Sequence, residues 1–176
     1  SCSAGWVKFL EHFYPEMIPN MSTCQSPMTM LSVITKTYFA KKFDIDPANI
    51  FIVAVMPCTA KKFEINRPEH TDELGNPWTD TVLTTRELVW MIKAYGIDFM
   101  ALPKNDFDNP LGFSTGAADI FGTTGGVMEA ALRTASEQIT GKPLDDLNFY
   151  NVRAVTGLME GSIKIGDQEI NVAVAN

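Results

Sequence analysis

Several residue types are scarce in this 176-residue chain, and each scarcity excludes a class of protein. The three cysteines, Cys2, Cys24 and Cys58, are odd in number and widely spaced, so they form neither a disulfide framework nor a C-x-x-C zinc site. The 14 basic residues are outnumbered by 21 acidic ones, and a net charge of −7 disfavours phosphate-driven nucleic-acid binding. No apolar run approaches the roughly 20 residues of a membrane helix. The number and spacing of the cysteines indicate a reducing compartment, or cysteines that are kept for chemistry.

What is present is an ordinary globular composition, 45% hydrophobic and 20% charged, which can bury a core. The chain starts at Ser1 and ends at Asn176, directly after a strand-like stretch. We therefore expect an internal piece of a longer protein, and the residues given contain no signal-peptide pattern.

Two helices are predicted near the start of the chain. The first ends before Pro15, and its apolar residues recur at helical spacing: Trp6, Phe9, Leu10 and Phe13. The second has Ser26 as N-cap and Pro27 at its first position. Its predicted apolar face consists of Met30, Leu31, Ile34 and Tyr38.

The predicted strands alternate with helices, which indicates the α/β class. The apolar, β-branched run "IFIVAV" (residues 50–55) is typical of a strand that is covered on both faces, as in a parallel sheet. A short strand then leads into a helix with Thr84 and Glu87 at capping-box spacing and Gly96 after its end. Alternation on both sides of "GD" (residues 166–167) predicts a terminal hairpin.

The segment "VMPCTAKKFE" (residues 55–64) is the first candidate for chemistry. Cys58 follows a predicted strand, and Pro57 cannot continue a central strand, so the thiol should be presented where ligands collect in α/β sheets. Lys61 and Lys62 would favour the thiolate, the form that binds metals or attacks carbon. The alternative, a small buried hydrophobic residue, is about equally supported.

A glycine-rich segment, "FGTTGGVMEAALR" (residues 121–133), precedes a predicted helix and could bind an anion at the helix N-terminus. It lacks the G-K-[ST] of a phosphate loop and the dinucleotide spacing. Close packing of helix on sheet explains the glycines at least as well.

The remaining cysteines and histidines give weaker signals. Cys2, in "SCSAGW" before a helix, has a position that favours the thiolate, whereas Cys24 is predicted to be a core residue. His12 and His70 lack metal-ligand spacing, so ordinary surface or core positions are predicted for both.

Taken together, these segments resemble the iron-iron (FeFe) hydrogenases. "SCSAGW" resembles the family's first motif, T-S-C-C-P-x-W, and "MPCTAKKFE" fits the second, M-P-C-x-x-K-x-x-E, at every fixed position. "FGTTGGVMEAALR" is similar to the glycine-helix segment beside the catalytic cluster. The similarity continues through "STCQSP", "TTRELVWMIK" and "VRAVTG".

The resemblance implies a fold of mixed, largely parallel sheets flanked by helices. It also implies an H-cluster: a four-iron cubane held by four cysteines and joined through one of them to a two-iron unit with carbonyl, cyanide and dithiolate ligands. The implied activity is the reversible reduction of protons to molecular hydrogen.

By position in the motifs, the resemblance makes Cys58 a cubane ligand and Lys61 a donor to a cyanide, a role that suits a compact ammonium. The other implied cofactor-binding residues line or close the two-iron pocket: Ser26, Pro27, Met56, Pro57, Phe121, Gly125 and Gly126.

The first motif departs from the family's pattern, which has two adjacent cysteines. Counting back from Trp6, Cys2 takes the position of the proton relay, Ser3 that of the cubane ligand, and Ala4 replaces a proline. Either Ser3 occupies the ligand position of an altered site, or Cys2 shifts to become the ligand. With Cys2 as relay, Ser22 matches the hydroxyl that follows it in the proton path.

The family's third cysteine motif is absent, so residues 1–176 are expected to be a partial catalytic domain, inactive alone. The implied partners of the whole protein are a ferredoxin or an NAD(P)H-linked electron donor and the hydrogenase maturation proteins. The implied location is the cytoplasm or hydrogenosome of an anaerobe. The alternatives are a non-catalytic iron–sulfur protein related to cytosolic assembly factors and a sensory member of the family.

Overall fold

A computed structural model of the chain describes residues 2–113, 116–144, 150–152 and 156–175. It contains helices α1 Ala4–Phe13, α2 Pro27–Ile34, α3 Ala40–Lys42, α4 Ala60–Glu64, α5 Thr85–Ala94, α6 Ala117–Ile120 and α7 Gly126–Thr140. The strands are β1 Val53–Met56, β2 Thr81–Thr84, β3 Tyr150–Asn151, β4 Leu158–Ile165 and β5 Gln168–Ala175. The chain divides into two units, Ser1–Leu111 and Gly112–Asn176, each of which is described by itself.

The first unit is organised around a parallel pair of strands. β1 pairs with β2 so that Val53 lies opposite Thr81 and Met56 opposite Thr84. The helix α4 and a polar loop lie between them in sequence. Parallel strands bring their carboxyl ends to the same edge, which places the residues after Met56 beside the start of α5. The α/β class predicted from the sequence is confirmed.

The prediction that the first strand is covered on both faces is wrong for the described residues. The strand starts at Val53 instead of Ile50, and Val53 and Val55 remain 45% and 43% exposed. Val82 on β2 is buried. A continuous apolar run shows that both faces tolerate burial, but it does not supply the neighbours that would cover them.

Helix α1 begins where Ser3 caps it, the serine Oγ accepting a hydrogen bond from the backbone N–H of Trp6 at 3.4 Å. Leu10 is buried as predicted, but the predicted aromatic face is exposed instead of packed into the core. Its rings contact one another: the centroids of Phe9 and Phe13 lie 5.1 Å apart. Their helical spacing therefore serves ring stacking along one helix.

Helix α2 has the predicted start, with Ser26 as N-cap and Pro27 as its first residue. Its predicted apolar face, residues 30, 31, 34 and 38, is exposed, and this prediction is wrong. The buried row is mainly polar and continues through a π-turn at Thr35–Phe39 into α3: Met28, Thr29, Ser32, Lys36 and Ala40.

Hydrogen bonds explain why polar residues of α2 face inward. Ser32 Oγ lies 2.7 Å from Thr79 Oγ1, and the Lys36 ammonium lies 2.8 Å from a carboxylate oxygen of Asp80. Asp80 also accepts a hydrogen bond from the backbone N–H of Ile52 at 2.6 Å. Buried polar groups satisfied in this way carry no large desolvation penalty. This cluster fixes the helix to the start of both strands.

Helix α5 follows β2 without a loop and has the predicted capping box. Thr84 Oγ1 accepts from the Glu87 backbone N–H at 3.2 Å, and the Glu87 carboxylate accepts from the Thr84 backbone N–H at 2.7 Å. Hydrogen bonds from Lys62 and then from Thr84 lower the pKa of Glu87 to about 2. Gly96 follows the helix at φ 71°, as predicted for its end.

The second unit contains α6, α7 and an antiparallel sheet in the order β3-β4-β5. The predicted hairpin is confirmed: β4 and β5 pair from Leu158 opposite Ala175 to Ile165 opposite Gln168. Parallel pairing occurs between β1 and β2, while the antiparallel sheet is the larger of the two among the described residues. Within the same part of the chain, every helix is too short or too polar to cross a membrane.

Candidate functional site

Cys58 lies just beyond the carboxyl end of β1, in the turn that leads into α4. Its thiol is free and exposed, and Pro57 before it is also exposed. The backbone carbonyl of Cys58 accepts a hydrogen bond from the Lys61 N–H at 3.3 Å. The alternative of a buried hydrophobic cysteine is therefore wrong. The strand delivers an accessible thiol at the sheet edge, as predicted.

The side chain of Lys61 turns inward from this exposed segment. Its side chain is 11% exposed, and its Nζ lies 2.6 Å from Glu64 Oε2 and 2.6 Å from the backbone carbonyl oxygen of Cys2. An ammonium has three N–H donors, and these two contacts use two of them. Lys62 instead lies 2.5 Å from Glu87 Oε1. A carboxylate thus neutralises each of the two lysines that were predicted to act on the Cys58 thiol.

Glu64 is the centre of a buried polar cluster. Its Oε1 accepts hydrogen bonds from Ser26 Oγ and, at 3.3 Å, from Thr29 Oγ1, while Oε2 accepts from Lys61. Ser26 is 2% exposed and Glu64 4% exposed. Sequence reasoning assigned no role to Glu64. The available signal was its spacing of three from Lys61, which puts the two side chains together on one helix.

His70 extends the same cluster. Its Nδ1 lies 3.2 Å from Thr29 Oγ1, and the side chain is buried. Burial lowers the pKa of His70, and the nearby charge of Glu64 opposes this effect in part. Both histidines take ordinary positions, as predicted: His70 is a core residue, and His12 is an exposed residue whose Nδ1 lies 2.9 Å from the Lys8 carbonyl oxygen.

The two residues of the first motif differ in their contacts. Cys2 is exposed, and its backbone carbonyl is bonded to Lys61. Ser3 is exposed, and its Oγ serves as the cap of α1. Ser22 is also exposed, and its Oγ accepts from the Cys24 backbone N–H at 3.2 Å. The first and second motifs and the start of α2 are therefore joined through Lys61 and Glu64.

A cavity of about 270 Å³ opens beside this cluster. Its lining includes Ser22, Cys24, Glu64 and His70, together with Ala4, Val7, Glu11, Ile18, Met21, Thr23, Gln25, Phe63, Arg67 and Glu69. Cys24 is exposed, so its predicted core position is wrong. The segment before Pro27 has no regular secondary structure, and residues 21–25 line the cavity.

Arg67 holds two carboxylates at the cavity wall. It forms a bidentate ion pair with Glu11, one contact of which is 3.0 Å, and contacts Glu69 at 2.5 Å. The hydrogen bond from Arg67 lowers the pKa of Glu11. For Glu69, burial raises the pKa, but backbone hydrogen bonding and Arg67 outweigh it, so that the net direction is down.

The glycine-rich segment lies in the second unit. Gly125 has φ 77°, and a Cβ there would lie 2.8 Å from a Val174 methyl; a Cβ on Gly126 would overlap the backbone carbonyl of Ile120. The Gly126 N–H already donates to the Thr123 carbonyl at 2.9 Å. Packing within the unit thus accounts for both glycines, and Phe121 is 39% exposed.

Two further segments carry the family resemblance, and the structure describes one of them completely and the other only in part. "TTRELVWMIK" (residues 84–93) forms the end of β2 and α5. Of "VRAVTG" (residues 152–157), residues 153–155 lie outside the described residues.

The comparison with known proteins decides the family. The sequence matches the family described as iron only hydrogenase large subunit, C-terminal domain, over residues 1–176. The chain belongs to this family.

Among curated members of the iron only hydrogenases, the chain is 51% identical to the NADP-reducing hydrogenase subunit HndD of Solidesulfovibrio fructosivorans, over all of this chain and 30% of the relative. It is 48% identical to the periplasmic Fe hydrogenase large subunit of Nitratidesulfovibrio vulgaris, over all of this chain and 42% of that protein. The chain thus spans less than half the length of these relatives.

Solved structures agree with the sequence match. The apo FeFe-hydrogenase HydA1 of Chlamydomonas reinhardtii, in a variant form, superimposes with a TM-score of 0.77 at 43% identity, covering 94% of this chain and 41% of that one. A more distant relative is a cytosolic Fe-S cluster assembly factor of Sclerotinia sclerotiorum, 30% identical over 88% of this chain and 32% of its own length.

An H-cluster needs several thiolate donors, and the described residues supply part of this set. Cys58 fits a ligand position, because its thiol is free and accessible at the sheet edge. Residues 2–113, 116–144, 150–152 and 156–175 contain no group of three or more His, Cys, Asp or Glu side chains arranged for a metal ion. A cluster of this kind is normally held by several thiolates. The described residues therefore fit one side of such a site and do not fit a complete one.

Proposed function

We propose that the chain is part of the catalytic domain of an iron-iron hydrogenase that interconverts protons and electrons with molecular hydrogen. The match of the family over the whole chain supports this proposal. The observation that carries it at the site is the exposed thiol of Cys58 at the carboxyl end of a parallel strand, three residues before a buried lysine. When bound, an H-cluster would supply the redox chemistry.

The proposed role of Cys58 is to bind iron, and that of Lys61 is to donate a hydrogen bond to an anionic ligand. Two of the Lys61 donors are used within the described residues, by Glu64 and by the Cys2 carbonyl. One donor therefore remains for an external acceptor, and the buried stem restricts the directions in which it can point.

Ser26 caps α2, which begins at Pro27, and Met56 ends β1, with Pro57 directly after it. We propose that these four residues line the cofactor pocket. Ser26 already donates to Glu64, so its contribution is to hold the carboxylate that orients Lys61. A cofactor-binding role is also proposed for three residues of the second unit, Phe121, Gly125 and Gly126.

Cys2 is proposed to relay protons, with Ser22 as the next hydroxyl and Ser3 at the ligand position of the cubane. Exposure of the Cys2 thiol supports a relay, since a proton carrier must exchange protons with its surroundings. Ser3 is engaged as a helix cap at 3.4 Å, a long hydrogen bond that a ligand role would have to replace.

The whole enzyme is proposed to receive electrons from a ferredoxin or an NAD(P)H-linked donor and to depend on hydrogenase maturation proteins. The similarity to an NADP-reducing hydrogenase subunit supports a nicotinamide-linked donor. The proposed location is the cytoplasm or the hydrogenosome. Residues 1–176 alone are proposed to be inactive, since the described donors fit only one side of a cluster site.

The second candidate is a non-catalytic role in iron–sulfur cluster assembly. The 30% identity to a cytosolic assembly factor favours it, although the hydrogenase relatives reach 51% and 48%. A carrier of this kind would bind an iron–sulfur cluster through Cys58 but would show no carbonyl or cyanide bands in the infrared.

Cys58→Ala in the full-length protein, produced with maturation proteins, tests the proposal. We expect loss of cubane iron and of hydrogen evolution, whereas Cys24→Ala, which removes another exposed free cysteine of the same unit, should retain both. Undiminished iron in Cys58→Ala would contradict the ligand role. Iron without carbonyl and cyanide bands in the unmodified protein would favour the assembly role.

A further inference from the structure

The Glu64 carboxylate accepts hydrogen bonds from other side chains in addition to its ion pair with Lys61. Two hydroxyls, those of Ser26 and Thr29, converge on Oε1, and Lys61 takes Oε2. With 4% of the residue exposed, water contributes little to the orientation of the carboxylate. The side chains that surround it must therefore set the direction in which Oε2 faces.

Counting the donors and acceptors assigns a direction to each hydrogen bond in this cluster. A threonine hydroxyl has one hydrogen, and Thr29 Oγ1 contacts Glu64 Oε1 at 3.3 Å, His70 Nδ1 at 3.2 Å and Ser26 Oγ at 3.3 Å. Ser26 gives its own hydrogen to Glu64, and the ionised carboxylate is the strongest of the three acceptors around Thr29, so the Thr29 hydrogen points to Glu64. His70 Nδ1 must then be the donor to Thr29, which assigns the neutral imidazole to the Nδ1–H tautomer.

Every hydrogen bond of the chain His70–Thr29–Glu64 thus points towards the carboxylate. Burial favours the neutral form of His70, which can give one N–H to Thr29 while its other nitrogen is available to the cavity that the residue lines. Thr29, a residue of α2, thus links His70, which lies after α4, to the carboxylate that accepts from Lys61.

We propose that Thr29 and His70 are positioning residues that act through Glu64 to fix the ammonium of Lys61. The consequence for a bound cofactor rests on the proposed function, whereas the hydrogen-bond direction and its effect on Lys61 do not. Neither Thr29 nor His70 contacts the Cys58 turn among the described hydrogen bonds, which is why their effect must pass through Glu64.

The first measurement is nitrogen-15 NMR of the His70 ring in the full-length protein at neutral pH. We expect the Nδ1–H tautomer. An Nε2–H tautomer would overturn the proposal, because Thr29 would then have to give its hydrogen to His70 and could not hold Glu64. This outcome does not depend on whether any cofactor binds.

The second measurement compares Thr29→Val with Thr35→Val. Both replace a threonine by its closest apolar shape in the same helical segment, but Thr35 is only half-buried and, among the described residues, its hydroxyl bonds only to the Leu31 carbonyl. Hydrogen exchange of the Lys61 ammonium should become roughly fivefold faster in Thr29→Val, the factor that the net contribution of one hydrogen bond allows. Thr35→Val should leave the rate unchanged, and Thr29→Ser should restore it.

Equal exchange rates in Thr29→Val and the unmodified protein would overturn the positioning role. If Thr29→Val does not fold, the decision falls on Thr29→Ser, which keeps the hydroxyl and must keep the Nδ1–H tautomer. In protein with a loaded cofactor, the cyanide infrared bands should shift in Thr29→Val and not in Thr35→Val. Absence of such bands from the unmodified protein would contradict the proposed function and leave the tautomer and exchange results to decide this inference.

Discussion

The Lys61 ammonium lies 2.6 Å from the backbone carbonyl of Cys2, although 59 residues separate the two in sequence. The contact is part-buried, and the same ammonium lies 2.6 Å from Glu64. Lys61 thereby joins the first motif to the second and, through Glu64 and Ser26, to the start of α2. Three sequence segments that carry the family resemblance are held together by one lysine and one carboxylate.

Replacing Lys61 should destabilise the fold as well as the proposed site. Lys61→Asn leaves the carboxylate of Glu64 buried without its counter-ion, and breaking a buried ion pair from one side costs roughly 3 kcal/mol. We expect a lower denaturant midpoint and, in loaded protein, weakened carbonyl and cyanide bands. Lys62→Asn serves as the control, because the Lys62 side chain is 41% exposed and its ion pair is solvated. Equal midpoints for the two variants would contradict the prediction.

The pH dependence of stability should contain a contribution from His70. Burial lowers its pKa below 6.5 in the folded protein. As the pH falls below 6.5, the unfolded chain takes up a proton that the folded protein does not, so stability decreases until the folded pKa is also passed. We expect denaturant midpoints of His70→Gln to lose this decrease between pH 7.5 and 5.5.

The exposed His12 provides the control for removing an imidazole: His12→Gln should keep the pH profile of the unmodified protein. A profile that is unchanged in His70→Gln would contradict the assignment of the decrease to His70.

The ion pair between Lys36 and Asp80 should contribute to the stability of the first unit. The Asp80 carboxylate accepts from both the Lys36 ammonium and the Ile52 backbone. Asp80→Asn removes the charge and leaves a nearly buried ammonium, for which we expect a loss of roughly 3 kcal/mol in the free energy of unfolding. Asp106→Asn, at an exposed position, should change it by less than about 0.5 kcal/mol. Chemical denaturation measures both.

A side chain at Gly126 should disrupt the second unit. Its Cβ would overlap the Ile120 carbonyl, a backbone atom that cannot move without shifting α6. We expect Gly126→Ala to lose roughly 3 kcal/mol or more. At Gly122, by contrast, the nearest atom to an added Cβ is the Asp119 carbonyl oxygen at 3.5 Å, so Gly122→Ala should be tolerated. Thermal unfolding of both variants would check the difference.

Ser3→Cys should restore the two-cysteine pattern of the first motif. If Ser3 holds the proposed ligand position, the electron paramagnetic resonance signal of the reduced cubane should change, because a thiolate is a softer ligand than an alkoxide. Ser162→Cys, an exposed serine of the second unit, controls for an added thiol. An identical signal in Ser3→Cys would move the ligand position to Cys2.

The helix caps, the helix start and the hairpin could be predicted from the sequence, because each depends only on residues close to it in the chain. The caps Ser26 and Thr84, the start at Pro27 and the hairpin at Gly166 all follow from backbone geometry within a few residues, and all are confirmed. The exposed position of Cys58 followed from Pro57 in the same way.

The burial pattern of α2 was not predictable from its own residues. Apolar spacing pointed to residues 30, 31, 34 and 38, yet the helix turns Ser32 and Lys36 inward because Thr79 and Asp80 are there to receive them. Such partners lie more than 40 residues away in sequence, and no period within the helix encodes them. The cluster of Glu64 and His70 escaped prediction for the same reason.

The π-turn at Thr35–Phe39 has a consequence for insertions and deletions. In a regular α-helix, positions four residues apart drift round the axis by about 40° at each step. A wider turn offsets part of this drift, and Ser32, Lys36 and Ala40 are all buried. Deleting one residue from this turn would therefore rotate Lys36 about the helix axis and away from Asp80. The helix would lose this contact with the residue that precedes β2, although both members of the ion pair would still be present in the sequence.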